Sequence, residues 1–105
     1  MPVLVQMNFP HQGPWGAEMS EAFRGLAETI NAEPGFLWKV WIENQDDELS
    51  GGIYLFDSRE NAEAYVAMHR ERMAGFGVTD MQVRHFEVNE PLSTLNQVSL
   101  TPAKP

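Results

Sequence analysis

The chain contains no cysteine, which excludes disulfide staples, thiolate nucleophiles and Cys-ligated zinc at once. Basic residues are scarce: 7 Lys and Arg stand against 15 Asp and Glu, for a formal charge of -8. That balance argues against nucleic acid and against an anionic membrane surface, because phosphate recognition depends on clustered Lys and Arg. Lys39 and Arg84 stand alone, and Arg70 and Arg72 punctuate an acidic stretch. Long hydrophobic runs are also missing. No segment reaches the roughly 20 apolar residues of a bilayer span, and Met1 to Met7 has neither a basic leader nor an apolar run of signal length. A soluble, cytoplasmic protein without a membrane partner is expected. The three histidines, His11, His69 and His85, include no pair spaced to put two imidazoles on one ion, so no dedicated metal site is expected.

What is present fits one globular domain, since 105 residues lie near the common domain size and 43% are hydrophobic. Residues 1–98 are expected to form that domain and 99–105 a flexible C-terminal tail. Val3 to Phe9 places Val3, Val5, Met7 and Phe9 on one parity and Leu4, Gln6 and Asn8 on the other, the mark of a strand with two unlike faces. Pro14 suits the first turn of a helix. From Trp15, apolar Met19, Ala22, Phe23, Leu26, Ala27 and Ile30 recur at helical spacing until Pro34-Gly35 ends the pattern. Phe36 to Asn44 and Ser50 to Phe56 read as an antiparallel hairpin around the acidic turn Gln45 to Glu48. Asp57 or Ser58 then caps a second helix, with Glu60 in capping-box position relative to Asp57, and Ala62, Tyr65, Val66, His69 and Met73 as its inward stripe. Gly75 and Gly77 mark its end, and Met81 to Asn89 is a fourth strand.

The order βαββαβ folds most simply as a ferredoxin-like α+β unit, a four-stranded antiparallel sheet with two helices on one face. The hairpin is apolar on both parities: Phe36, Trp38, Val40 and Ile42 on one side, Leu37 and Trp41 on the other. Helices on one face leave the other uncovered, so a homodimer with sheets packed face to face is expected. Trp38 and Trp41 should point to opposite faces, so at most one of them lines any single pocket.

Four motifs in order carry a family resemblance: Asn31-x-Glu-Pro-Gly-Phe-x-Trp-Lys-x-Trp41, Gly51-Gly52-Ile53-Tyr54-Leu55-Phe56, Ala64-Tyr65-x-x-x-His69, and Val88-Asn89-Glu90-Pro91-Leu92-Ser93. Together they resemble the YdhR family of monooxygenases, within the dimeric α/β-barrel group of ferredoxin-like proteins. The resemblance runs from the first strand to about Gln97. It implies a monooxygenase that uses neither flavin nor metal, acting with O₂ on a small aromatic or polycyclic phenol. Such chemistry asks the protein to bind, deprotonate and shield a substrate that itself gives an electron to O₂. Trp38, Trp41, Tyr54 and Tyr65 are then candidates for the substrate pocket. Asn8 is a candidate for hydrogen-bonding a phenol or quinone oxygen, by analogy with haem-degrading relatives, and His69 for taking the proton.

The plain readings stand beside these. His69 on an inward helix stripe is commonly a hydrogen-bonded core residue, His85 a structural or dimer-facing one, and His11 a solvated loop residue. One aromatic of the Tyr54 and Phe56 pair is ordinary core. Pro91 ends strand pairing, and Leu92, Leu95 and Val98 suggest a tail that docks, with exchange onto the partner subunit favoured over packing on its own chain. Two other functions are kept open: a haem-binding or haem-degrading protein with His69 as axial ligand, and a non-catalytic dimeric binding module for a hydrophobic metabolite.

Overall fold

The computed structural model describes residues 1–101. Residues 102–105, the end of the expected tail, lie outside them. The elements are β1 (Val3–Pro10), α1 (Gly16–Ala22), α2 (Arg24–Ile30), β2 (Phe36–Asn44), β3 (Leu49–Phe56), α3 (Arg59–Gly75), β4 (Gln82–Glu87) and α4 (Glu90–Leu95). The four strands form one antiparallel sheet in the order β2-β3-β1-β4, the ferredoxin-like arrangement expected from the element order. Alternation along β1 sorts its side chains: Val3, Val5, Met7 and Phe9 are buried toward the helices, while Leu4, Gln6 and Asn8 lie on the open face. The core packs Val3, Val5 and Met7 with Tyr54, Phe56, Ile30 and the α3 residues Ala62, Tyr65 and Val66.

Helix α3 follows its sequence pattern closely. Its buried residues are Ala62, Tyr65, Val66, His69 and Met73, the whole expected stripe. Ser58 is its N-cap, accepting from the Asn61 amide at 3.2 Å, while Asp57 takes the Asn61 side-chain amide at 2.8 Å. Asp57 and Glu60 therefore do not form the expected capping box. At the other end, Gly77 (φ 85°) donates to the Ala74 carbonyl and Val78 to that of Met73, which closes the last turn in the left-handed region that suits glycine.

Three features depart from the sequence reading. The first helix is broken in two at Phe23, whose φ of -105° and ψ of 11° leave the helical region. Pro14 precedes that helix without entering it, after a cis Gly13–Pro14 bond. The third is a register shift between Phe36 and Trp38, where β2 bulges against β3. Pairing then puts Phe36 opposite Phe56, Lys39 opposite Tyr54 and Trp41 opposite Gly52 on the helix face. Trp38 falls opposite Leu55 and Val40 opposite Ile53 on the open face. Phe36 thus parts from Trp38, and Leu37 from Trp41, because one extra residue inverts the parity that follows it.

The open face carries a second cluster of Leu37, Leu55 and Val88, with Leu4, Trp38 and Leu100 packed against it. The Trp38 indole N–H donates to the Ser99 carbonyl at 2.8 Å. Ser99 and Leu100, assigned by sequence to the tail, therefore lie across the sheet of their own chain. No helix of the described residues is long and apolar enough to cross a membrane.

Candidate functional site

Gly52 explains the site's position. It pairs with Met7 on β1 and Trp41 on β2, all facing the helices, so the sheet has no side chain at the centre of that face. A Cβ there would meet Lys39 Cε at 2.5 Å and Tyr54 Cε1 at 3.0 Å. The gap opens into a cavity of about 460 Å³ between sheet and helices, a common size for a small-molecule site. Trp41 and Phe23 stack in its wall, with ring centroids 6.3 Å apart and planes 18° apart. The break at Phe23 is what brings that ring against Trp41. Met7, Met19, Leu26 and Met73 add apolar surface, and Phe76, 74% exposed, stands at the mouth.

Polar groups converge from two elements. Lys39 of β2 extends its ammonium over the Trp41 ring, 3.3 Å from the centroid, and lies 4.5 Å from that of Tyr54. Desolvation first, and the nearby Arg72 charge second, bring its pKa down to about 7 from 10.5. The ring faces act the other way, by about 1 kcal/mol each. From α3, an Arg72 guanidinium nitrogen donates to His69 Nδ1 at 2.8 Å. Arg72 Nε is buried and has no hydrogen-bond partner among the described residues. A guanidinium can only donate, so His69 Nδ1 must carry its lone pair toward Arg72, and the neutral ring holds its proton on Nε2. Burial, then Arg72, then Lys39 lower the His69 pKa to about 4. Near neutral pH His69 is thus an uncharged donor.

Tyr54 is buried in the wall, and its hydroxyl meets that of Tyr65 at 3.4 Å. Burial, and then the neighbouring phenol Tyr65, push Tyr54 far above the ordinary tyrosine range, so it stays protonated. Tyr65 is also raised, chiefly by burial. Its ring stacks on His69 with centroids 5.2 Å apart and planes 17° apart, which fixes the imidazole plane.

The six expected site residues therefore divide. His69, Trp41 and Tyr54 share the cavity. Tyr65 stands behind them, outside the cavity wall, and supports His69 and Tyr54. Trp38 lies on the open face and packs under the C-terminal segment. Asn8 is also on the open face, in a shallow depression with Gln6 and Ile42, and does not meet His69. Strand alternation is the reason: Asn8 sits between Met7 and Phe9, which both face the helices. His11, expected in solvent, is half-buried in the cavity wall, bonded to the Pro14 carbonyl at 2.9 Å and packed edge-on against Trp15 at 4.8 Å.

Lys39 and Arg72 are cavity residues that the sequence did not place among the site candidates. Arg72 was legible in principle, since it lies three residues after His69 on one helix. Lys39 was not, because its face depends on the bulge. Among the described residues, no group of three His, Cys, Asp or Glu is arranged to hold a metal ion.

Comparison with known proteins adds what geometry cannot. The family model described as "Putative mono-oxygenase ydhR" matches residues 4–99. No curated protein sequence matches the chain. Among solved structures, a mutant of SnoaB, a cofactor-independent oxygenase from Streptomyces nogalater, is similar with a TM-score of 0.61 at 17% identity, over 84% of this chain and 93% of SnoaB. A protein described as a "putative antibiotic biosynthesis monooxygenase" from Deinococcus radiodurans is similar with a TM-score of 0.55 at 14% identity, over 85% of this chain and 93% of its own. At such identities the likeness speaks for the fold.

Proposed function

The chain belongs to the ydhR family of mono-oxygenases, and from that premise we propose that it oxygenates a small aromatic or polycyclic phenol, with O₂ and without flavin or metal, in the cavity between sheet and helices. The observation that carries this reading is the union of an aromatic wall with a small polar cluster in one apolar cavity. Trp41 and Phe23 supply a flat surface for a ring, and Lys39, His69 and Arg72 converge at one side of it. A phenol oxygen placed there meets donors that favour its anion, and an electron-rich phenolate is the form that passes an electron to O₂. Apolar walls shield the resulting radical pair from water.

His69 takes part as the Nε2–H donor to that oxygen. Asn8, on the opposite face, is assigned no contact with the ring. Trp38 belongs instead to a second proposal, that the open face packs against a second copy of this chain. Val40 and Phe86 are 50% and 46% exposed there, an apolar surface of the kind a symmetric interface buries. Leu92 and Leu95 of α4, 60% and 77% exposed, would extend the interface by reaching the partner.

Oxygen uptake with a hydroxyanthrone substrate tests the function. Uptake stoichiometric with quinone formation is expected. Saturable binding of the same substrate with no uptake under air would instead favour a non-catalytic binding module, and a Soret shift on titration with haemin would favour a haem protein. His69→Ala should lower turnover by about a hundredfold if its donor stabilises the developing anion. Unchanged turnover would remove His69 from the mechanism.

A further inference from the structure

The charge of the cavity is opposite to that of the molecule. A chain with 15 acidic and 7 basic residues has, among the described residues, no Asp or Glu in this cavity wall, yet two of its basic side chains enter it. Neither Lys39 nor Arg72 makes an ion pair among the described residues; the pairs present are Arg24 with Glu21 and Arg59 with Glu63, both on the surface. Removing cations from water without a partner is costly, and a site that does so is built for a counter-charge from outside the chain.

We propose that the cavity binds its phenolic ligand as the phenolate, with Lys39 Nζ taking the phenol proton and the new ammonium and Arg72 holding the oxygen between them. The inference rests on the phenol-oxygenase reading above and names the base of that site. In the step, the phenol O–H bond breaks, the proton bonds to the Nζ lone pair, and the O–H electron pair stays on oxygen. No oxidant is consumed. The product is an ammonium–phenolate pair beside a guanidinium, in place of a free amine and a neutral phenol.

Geometry restricts the base to Lys39. Of the titratable groups around the cavity, His69 directs its lone pair at Arg72 and so presents only N–H. Tyr54 is held protonated, Arg72 only donates, and the His11 ring, whose Nε2–H goes to the Pro14 carbonyl, packs among Phe9, Trp15 and Phe23 and not over the Trp41 and Tyr54 rings where Lys39 lies. Lys39 alone combines a position among the stacked rings with a free-amine form near neutral pH, since its pKa is down to about 7. Gly52 leaves room for its terminus: an added Cβ would stand 3.3 Å from Nζ.

3-Nitrophenol tests this without oxygen chemistry, because its phenolate has a visible band that the phenol lacks and it is a weaker acid than the Lys39 ammonium. At a pH above 7 and below the solution pKa of the probe, where Lys39 is the free amine, binding to the whole protein should produce the phenolate band. Lys39→Met should lower the bound phenolate fraction roughly tenfold or more, which is one pKa unit of lost differential stabilisation. Lys39→Arg is charged and cannot accept the proton, so its binding of 3-nitrophenol should release a proton to buffer that the native protein retains. A bound band of neutral phenol overturns the proposal while leaving the phenol site intact, as does 3-nitroanisole binding equally well. Binding of 3-nitrobenzoate but not of 3-nitrophenol also overturns it, in favour of a carboxylate ligand. If no aromatic probe binds, both the proposal and the reading beneath it fail.

Discussion

Trp41 and Trp38 are three residues apart and differ in almost every consequence. Trp41 forms a cavity wall with Phe23 and lies under the Lys39 ammonium, so Trp41→Ala should weaken binding of an aromatic ligand by about tenfold, the effect of losing one stacking partner and part of its buried area. Calorimetric titration with a naphthol checks it. Trp38→Ala should leave that affinity unchanged and instead release the Ser99 carbonyl, measurable as faster amide exchange after Val98. At Lys39, replacement by Met removes a poorly solvated amine from an apolar site. The free protein should gain about 1 kcal/mol near pH 6, where the amine is forced to be charged, while losing turnover. Loss of both stability and turnover would mean that Lys39 holds the fold together.

At the scale of elements, β3 is constrained by its two glycines. A Cβ on Gly51 would collide with the Met7 carbonyl, a backbone atom that cannot swing aside, so Gly51→Ala should destabilise by about 2 kcal/mol or more in denaturant unfolding. A Cβ on Gly52 meets the far end of Lys39 instead, so Gly52→Ala should cost less stability and more ligand affinity. Ser58→Ala removes the cap of α3, worth about 1 kcal/mol. Since α3 carries His69 and Arg72 well past that end, the effect should appear in stability and not in binding. These elements were legible to different degrees. The α3 stripe was fully readable because helical spacing depends on local geometry alone, and the β1 faces were readable because that strand has no irregularity. The bulge at Leu37 and the break at Phe23 carry no proline or glycine of their own. At both, the side chain meets residues distant in sequence, Leu55 beneath Leu37 and Trp41 against Phe23.

For the whole molecule, pH dependence follows from the two depressed bases. His69 titrates near 4 folded against 6.5 unfolded, so the unfolded chain binds its proton first, and stability falls as pH drops from 6.5 toward 4. Lys39 titrates near 7 folded against 10.5 unfolded. Between those values the unfolded chain holds the proton that the folded chain has lost, so stability of the ligand-free protein rises from pH 7 toward 10. Melting temperatures across this range should show that rise in the native protein and lose it in Lys39→Met. Assembly is tested separately: truncation after Glu90 removes Leu92, Leu95 and the Ser99 contact, and a weaker dimer is expected by analytical ultracentrifugation. An unchanged dissociation constant would mean that Leu92 and Leu95 do not reach the partner.

The sequence by itself determined the order of the four strands, the ferredoxin-like sheet they form, and the opposition of the two tryptophans. Each of these follows from local periodicity and from the need to cover an apolar face. It also singled out His69 as an inward residue beside aromatics. Only the tertiary structure decided that Trp41 and not Trp38 lines the cavity, that Asn8 lies on the other face, and that two basic side chains enter a cavity wall with no carboxylate among the described residues. Those outcomes depend on a single-residue shift of register and on a gap left by one glycine, and both arise only when strands far apart in sequence are paired.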